Sequence, residues 1–294
     1  MRAEVVLLVS LIAIVPAPTP DASAAAESRP AARTAFASSR PGEIVVPVTV
    51  GAHGPFRFLL DTGSTHTAVT ERLAIAVDAV PVARAEMRAA AGSVGCLVVA
   101  LPTVVVDVVS ADGLTATVLP PTAADALGPG VDGVLGQDFL SRFAFTIDYR
   151  RSRIVWHDAD YVAPGTRLAL VPAQDRWLVE LLQPGTAPGI APTLRRFVPD
   201  SAADTLVLFG ESRAGCLIRE WRPGTSALGS LTGARAVRTA TVDGLRVGEA
   251  TLDGQVAAIV ASTSPDEPDG LLPLHLFASV FFSARSRTLV IEPR

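Results

Sequence analysis

Asp61, Thr62, Gly63 and Ser64 close the strand-prone run 56–60, and Asp200, Ser201, Ala202 and Ala203 close a second such run that begins at Phe197. A carboxyl group delivered to a tight loop at a strand end is placed to act as a general acid or base. Two of them about 3 Å apart do more, because like charges that close cannot both ionise. The pair holds one proton between them. Its charged member can draw a proton from water while its neutral member protonates a carbonyl oxygen. The chemistry is hydrolysis without a metal or a covalent intermediate, and the two pKa values belong to the pair.

An Asp-[Ser/Thr]-Gly triplet alone carries little weight, since roughly one chain in ten of this length should contain one by composition. Context gives it weight. An apolar strand precedes Asp61, Ser64 follows the triplet, and Val131-Asp132-Gly133-Val134-Leu135-Gly136 lies downstream. The elements around it read as strands and turns. Residues 43–50 form an apolar strand, 51–55 a turn, and 56–60 a second strand, so a hairpin delivers Asp61 to its loop. Thr70 predicts an N-cap for a short helix over 70–77 with Glu71 in its first turn. Residues 97–109 are strand-prone, and 137–140 open a short helix. Residues 143–148 and 153–156 form a hairpin.

The pattern then restarts. Residues 176–182 are an apolar strand, 197–204 parallel 58–65, and Asp269-Gly270-Leu271-Leu272 parallels Asp132-Gly133-Val134-Leu135. Residues 280–291 parallel the hairpin at 143–156. Asp61 to Gly133 is 72 positions and Asp200 to Gly270 is 70, read directly from the numbering. Matching order with matching spacing indicates an internal duplication, with its boundary in the turn-rich stretch near 160–175.

These residues identify the resemblance. The chain resembles the pepsin- and retropepsin-like aspartic proteases, in particular bacterial members with two repeats. The resemblance covers nearly all of the chain beyond its first residues; it is specific in the first half and degraded in the second. It implies an all-β fold of two similar β-barrel-like lobes, pepsin-like and bilobal, with short helices. It implies an aspartic endopeptidase that activates water with Asp61 and Asp200, one from each lobe, at the floor of an interlobe cleft. Thr62 and Ser201 match the positions whose hydroxyls bond across to the opposite loop. Ser64 matches the position whose hydroxyl bonds the catalytic carboxylate, and its counterpart Ala203 has none. A hydroxyl bond to the charged form lowers a pKa, so Asp61 is expected to ionise more readily than Asp200. The family covers its cleft with a hairpin flap. The stretch around Ala90, Ala91 and Gly92 is the candidate, with 229–233 as a partner in the second lobe.

The second loop departs from the pattern. Ala202 stands where Gly is expected, and Pro273 stands where the first repeat has Gly136. An Ala Cβ fits there only at negative φ and with space around it, and Pro removes an N–H. Two rival readings follow. In one, the first lobe alone is catalytic and Asp61 pairs with its copy in a second chain. In the other, the fold is kept as a non-catalytic peptide-binding protein with a decayed dyad.

Composition narrows the remaining classes. The 294 residues carry a formal net charge of −4, and the basic residues are all Arg and scattered, which gives no electrostatic reason to expect nucleic acid. His53, His66, His157 and His275 lie far apart with no Cys or carboxylate at metal-ligand spacing, so no metal or other cofactor is expected. The expected partner is a peptide or protein substrate, and the expected state is a monomer. Cys96 and Cys216 could form one bridge in an oxidising compartment or remain buried thiols. Arg2, the apolar run 5–15 and Ala22-Ser23-Ala24 read as an export signal, cleaved or retained as a membrane tether. The expected division is a signal peptide over 1–24, a flexible lead-in over 25–41, lobe one over 42–160, a linker over 161–175 and lobe two over 176–294. The expected location is periplasmic or secreted.

Overall fold

Strand Val45–Val50 buries alternate side chains, Val46, Val48 and Val50, in an apolar core. It turns at Gly51, where φ is +59° and a β-branched residue would be strained. The chain returns antiparallel as His53–Leu60, with Val45 opposite Leu59 and Val46 opposite Phe58. Gly133–Leu135 then lies parallel to the end of that strand, Gly133 opposite Phe58 and Leu135 opposite Leu60. On its other edge it meets Ala68–Thr70. Asp61 is thereby handed to a loop flanked by three buried strands. A computed structural model of the chain describes residues 5–8, 32–89, 92–173, 175–183, 185, 191–262 and 267–294.

The second lobe repeats this register. Arg176–Gln183 pairs antiparallel with Thr193–Asp200, Val179 opposite Phe197. Gly270–Pro273 lies parallel to the latter, Gly270 opposite Phe197 and Pro273 opposite Asp200. Leu206–Phe209 takes the place of Ala68–Thr70. The repeat extends to side chains. Asp132 accepts the Arg57 N–H at 2.9 Å and Asp269 accepts the Arg196 N–H at 2.8 Å, each fixing the start of the strand that follows it. The salt-bridge partners are not equivalent: Arg72, on the helix after the first loop, pairs with Asp132, and Arg195, on the strand before the second loop, pairs with Asp269. A Cβ on Gly133 would lie 2.6 Å from the Phe58 ring, and one on Gly270 would lie 2.8 Å from the Phe197 ring. Both glycines are therefore required by the same aromatic contact.

The lobes share one antiparallel run of strands. Its order is Ala32–Ala35, Arg153–His157, Ala144–Asp148, Ser279–Ser283, Thr288–Glu292 and Thr166–Ala173. At its centre Phe145 of one repeat faces Phe282 of the other, ring centroids 5.5 Å apart and nearly parallel. Trp156 packs beside them and donates its indole N–H to Thr34 at 2.8 Å. The fold is all-β, two sheet-built lobes with short helices such as Glu71–Ala76 and Gln137–Leu140. Thr70 caps the first of these, accepting the Leu73 N–H at 3.3 Å.

Two expected linkers are strands instead. Within 25–41, Ala32–Ala35 pairs with Arg153–His157, and Ala37 bridges Val45. Only Thr34 of that strand is buried, so it leaves no hydrophobic period to read. Within 161–175, Thr166–Ala173 pairs first with Thr288–Glu292 and then with Arg176–Gln183, carrying the chain from the shared sheet into the second lobe. It too buries a single residue, Leu170. Of the expected export segment, Val5–Leu8 forms a strand parallel to Ser226–Ser230; the rest, including Ala22-Ser23-Ala24, lies outside the described residues. Cys96 is a buried free thiol and Cys216 an exposed one. No helix among the described residues is long and apolar enough to cross a membrane.

Candidate active site

The two loops meet at the seam between the lobes. Thr62 donates its hydroxyl to the Pro199 carbonyl at 2.7 Å and accepts the Ser201 N–H at 3.0 Å. Ser201 answers, donating its hydroxyl to the Leu60 carbonyl at 2.8 Å and accepting the Thr62 N–H at 3.0 Å. All four bonds are buried and all four cross from one repeat to the other. Each hydroxyl reaches the residue just before the opposite carboxylate, so the pair fixes the spacing of Asp61 and Asp200. Loss of any one would leave a buried polar group unpaired, which costs about 1–3 kcal/mol.

Within each loop the carboxyl group is held by its own backbone. Asp61 Oδ1 accepts N–H groups from Gly63 at 2.9 Å and Ser64 at 3.1 Å. Asp200 Oδ1 accepts them from Ala202 at 2.8 Å and Ala203 at 2.9 Å. Both Asp residues are 0% exposed, and Oδ2 of each bonds no donor of the surrounding protein. A Cβ on Gly63 would fall 2.6 Å from Asp200 Oδ2, so the bare glycine backbone is what admits the opposite carboxyl group.

Burial raises both carboxylates above their ordinary range. Asp200 is pushed up to about 6, with the Ala202 and Ala203 N–H groups pulling the other way. Asp61 is raised well above its ordinary value, by burial and then by the charge of Asp200. The hydroxyl bond on which the expected order of ionisation rested is not made. The Ser64 hydroxyl, expected on Asp61, donates instead to the His66 carbonyl at 3.2 Å. Ser64 supports the carboxylate through its N–H alone, which Ala203 does equally well. With the hydroxyl asymmetry gone, the two carboxyl groups are held by matching pairs of backbone N–H groups.

The departures in the second loop are matched by their surroundings. Ala202 has no positive φ, and its methyl joins an apolar cluster with Leu59 and Val134. In the first lobe the Gly136 N–H donates to the Thr67 hydroxyl at 3.4 Å. In the second, Pro273 offers no N–H, and Leu206, at the register position of Thr67, offers no acceptor.

Sequence reasoning did not single out the residues that brace these loops from behind. The Gln137 side chain donates to the Thr62 carbonyl at 2.8 Å. Asp138 accepts the N–H and hydroxyl of Thr67 at 3.0 and 2.8 Å. His275, at the repeat position of Asp138, has Nδ1 3.2 Å from the Ala203 carbonyl, and burial lowers its pKa toward the neutral form that donates there. Their positions just after Leu135-Gly136 and Leu272-Pro273 are the available sequence signal.

Each lobe carries a long hairpin after its Asp loop. Val80–Ala89 pairs with Gly92–Ala100, the backbone of Gly92 opposite Ala89. Ala90 and Ala91 lie outside the described residues. In the second lobe Ser226–Ser230 pairs with Gly233–Val242. Among the described residues no group of three or more His, Cys, Asp or Glu side chains is placed to hold a metal ion.

Residues 46–142 match the family described as gag-polyprotein putative aspartyl protease. The match spans the first lobe from its opening strand, through the Asp61 loop, to the helix that bears Gln137 and Asp138. A search of curated proteins returned no match.

Proposed function

We propose that the chain is a single-chain aspartic endopeptidase whose dyad is Asp61 and Asp200, a reading that the match of residues 46–142 to an aspartyl protease family supports. The observation that carries this reading is the reciprocal bonding of Thr62 and Ser201 around two buried, matched carboxyl groups. Such bonding has a purpose when both carboxyl groups act on one bond, and it supports the second lobe as a working partner.

The chemistry follows from the two environments. Asp200, charged at neutral pH, takes a proton from water as that water attacks the scissile carbonyl. Asp61, kept neutral by burial and by its neighbour's charge, donates to the carbonyl oxygen. As the C–N bond breaks, the proton received by Asp200 goes to the leaving amine and one hydroxyl of the tetrahedral intermediate returns its proton to Asp61, which restores the starting state. Backbone N–H groups of both loops hold the carboxyl groups in place throughout, so little reorganisation accompanies the reaction.

The competing arrangement, Asp61 paired with Asp61 of a second chain, finds its surface taken. The donors and acceptors of Thr62 that a second copy would use are bonded to Ser201 and Pro199 of the same chain. Peptide cleavage by Asp61→Asn and Asp200→Asn separates the readings. Loss of about 10³-fold or more in both supports a cross-lobe dyad. Activity retained in Asp200→Asn would return the first lobe to a homodimer.

A further inference from the structure

The turn that precedes Val45–Val50, the hairpin turn after Asp148 and the short helix Leu274–Leu276 line a cavity of about 560 Å³. That lies within the range of about 300–1,000 Å³ that holds small organic ligands. The first of these walls is fixed by its own bonds. Ser38 donates its hydroxyl to the Arg40 carbonyl at 2.8 Å, and Gly42 has a φ of +78°, where a Cβ would collide with the Ala203 carbonyl. The wall ends at Glu43, which is 9% exposed, yet only half of its carboxylate is satisfied. Oε2 accepts the N–H and the hydroxyl of Ser39, at 2.6 and 2.5 Å. Oε1 takes no hydrogen bond among the described residues, and its ion pair with Arg40 Nη2 is 3.8 Å long. A largely buried carboxylate oxygen without a donor is costly, and a donor entering from the cavity would remove that cost. Arg294 also lines the cavity, and its guanidinium forms no ion pair among the described residues. Phe36, Pro41, Tyr149 and Leu276 add apolar surface.

We propose that this cavity is an effector site for a small zwitterion with an apolar body, a dipeptide with free termini and aliphatic side chains. Its ammonium group bonds Glu43 Oε1, its carboxylate meets Arg294, and its side chains pack on Phe36 and Leu276. The inference goes beyond the peptidase reading and does not depend on it. The charges select this class. A nucleotide or other polyanion would press its charge against Glu43, and a polyamine would press its own against Arg294. A zwitterion pairs with both, through charge-assisted bonds about twice as strong as neutral ones. The place of the cavity makes occupancy consequential. His275, another of its walls, has Nδ1 3.2 Å from the Ala203 carbonyl, and the Ala203 N–H holds Asp200 Oδ1 at 2.9 Å. An occupant that touches Gly42 or His275 is therefore one residue, Ala203, removed from the Asp200 carboxyl group.

The test uses the full chain carrying Asp61→Asn, so that binding is read without cleavage. Calorimetry would compare the dipeptide Leu-Leu with its acetylated and amidated form, which has the same side chains and no charge. Leu-Leu should bind, and the blocked form should bind at least tenfold more weakly. Glu43→Gln keeps an acceptor for Ser39 but removes the charge; it should weaken Leu-Leu about tenfold and leave the blocked form unchanged. Gln255→Trp, which places a bulky ring on a further cavity wall, should abolish binding of Leu-Leu at an unchanged melting temperature. Amide resonances locate the bound dipeptide: those of Gly42, Ala203 and Leu276 should move, and those of Val94 and Gly95 on the first-lobe hairpin should not. Equal binding of the two dipeptides, an affinity for Leu-Leu that Glu43→Gln or Gln255→Trp leaves unchanged, or no binding at millimolar concentration would each overturn the proposal. Shifts confined to the Asp61 and Asp200 loops and the hairpin would place the dipeptide at the dyad, and would overturn it as well. Cleavage by the chain with both Asp residues intact is scored separately, and its absence would remove the peptidase reading without touching this site.

Discussion

At the scale of single residues, the account depends on which carboxyl group keeps the proton. The working form is the monoanion. Asp200, raised by burial to about 6, becomes protonated as pH falls through that value, so activity is lost on the acid side there. Asp61 is raised as well, by burial and by the charge of Asp200, and the proposed mechanism gives it the shared proton. A kcat profile with its acid limb near 6 is expected, and a limb at or below the ordinary carboxylate value of about 3.9 would contradict the burial argument. The same shift sets stability. A carboxyl group whose folded pKa lies above its unfolded one favours the fold most below the unfolded value. That contribution is lost as pH rises through the folded value. Asp200→Asn should therefore raise the melting temperature at neutral pH and change it little near pH 4, as thermal unfolding at the two pH values would show.

At the scale of elements, the loops are set by contacts that leave little room for substitution. Gly63→Ala would place a Cβ 2.6 Å from Asp200 Oδ2. Because a misplacement of about 1 Å can cost about 10²-fold in rate, kcat should fall by that order while the circular dichroism spectrum is kept. Ala202→Gly should instead cost only about 0.4–1 kcal/mol of stability. Thr62→Val and Ser201→Ala should each destabilise by about 1–3 kcal/mol. The double variant should fall short of their sum, because both act on one set of four bonds; denaturant unfolding of all three measures this. The short strands around the loops were legible in the sequence because Phe58, Leu60, Phe197 and Leu272 mark buried positions of a repeated pattern. Ala32–Ala35 and Thr166–Ala173 were not, since each buries one side chain and draws its stability from backbone pairing. The bond from Ser64 to the His66 carbonyl was not legible either, because a hydroxyl's choice between two nearby acceptors depends on loop geometry that residue type does not encode.

At the scale of the whole molecule, two repeats are welded by one shared sheet, with Phe145 stacked on Phe282 at its centre. The duplication was readable from order and spacing, and the register of Gly133 on Phe58 and Gly270 on Phe197 repeats it in three dimensions. What spacing did not convey is that Ala202 and Pro273 are accommodated. Their compensation lies in Leu206 and in the apolar cluster around Ala202, far from them in sequence. Since one chain supplies both carboxyl groups, the initial rate should rise linearly with protein concentration, whereas a quadratic rise would indicate a dimeric site. The most direct measurement is cleavage of a mixed peptide library by the full chain beside its Asp200→Asn variant, from acid to mildly alkaline pH. A dyad spanning the two lobes requires that the unmodified chain cut and the variant not cut. Equal cleavage by both, or none by either at any pH, would contradict it.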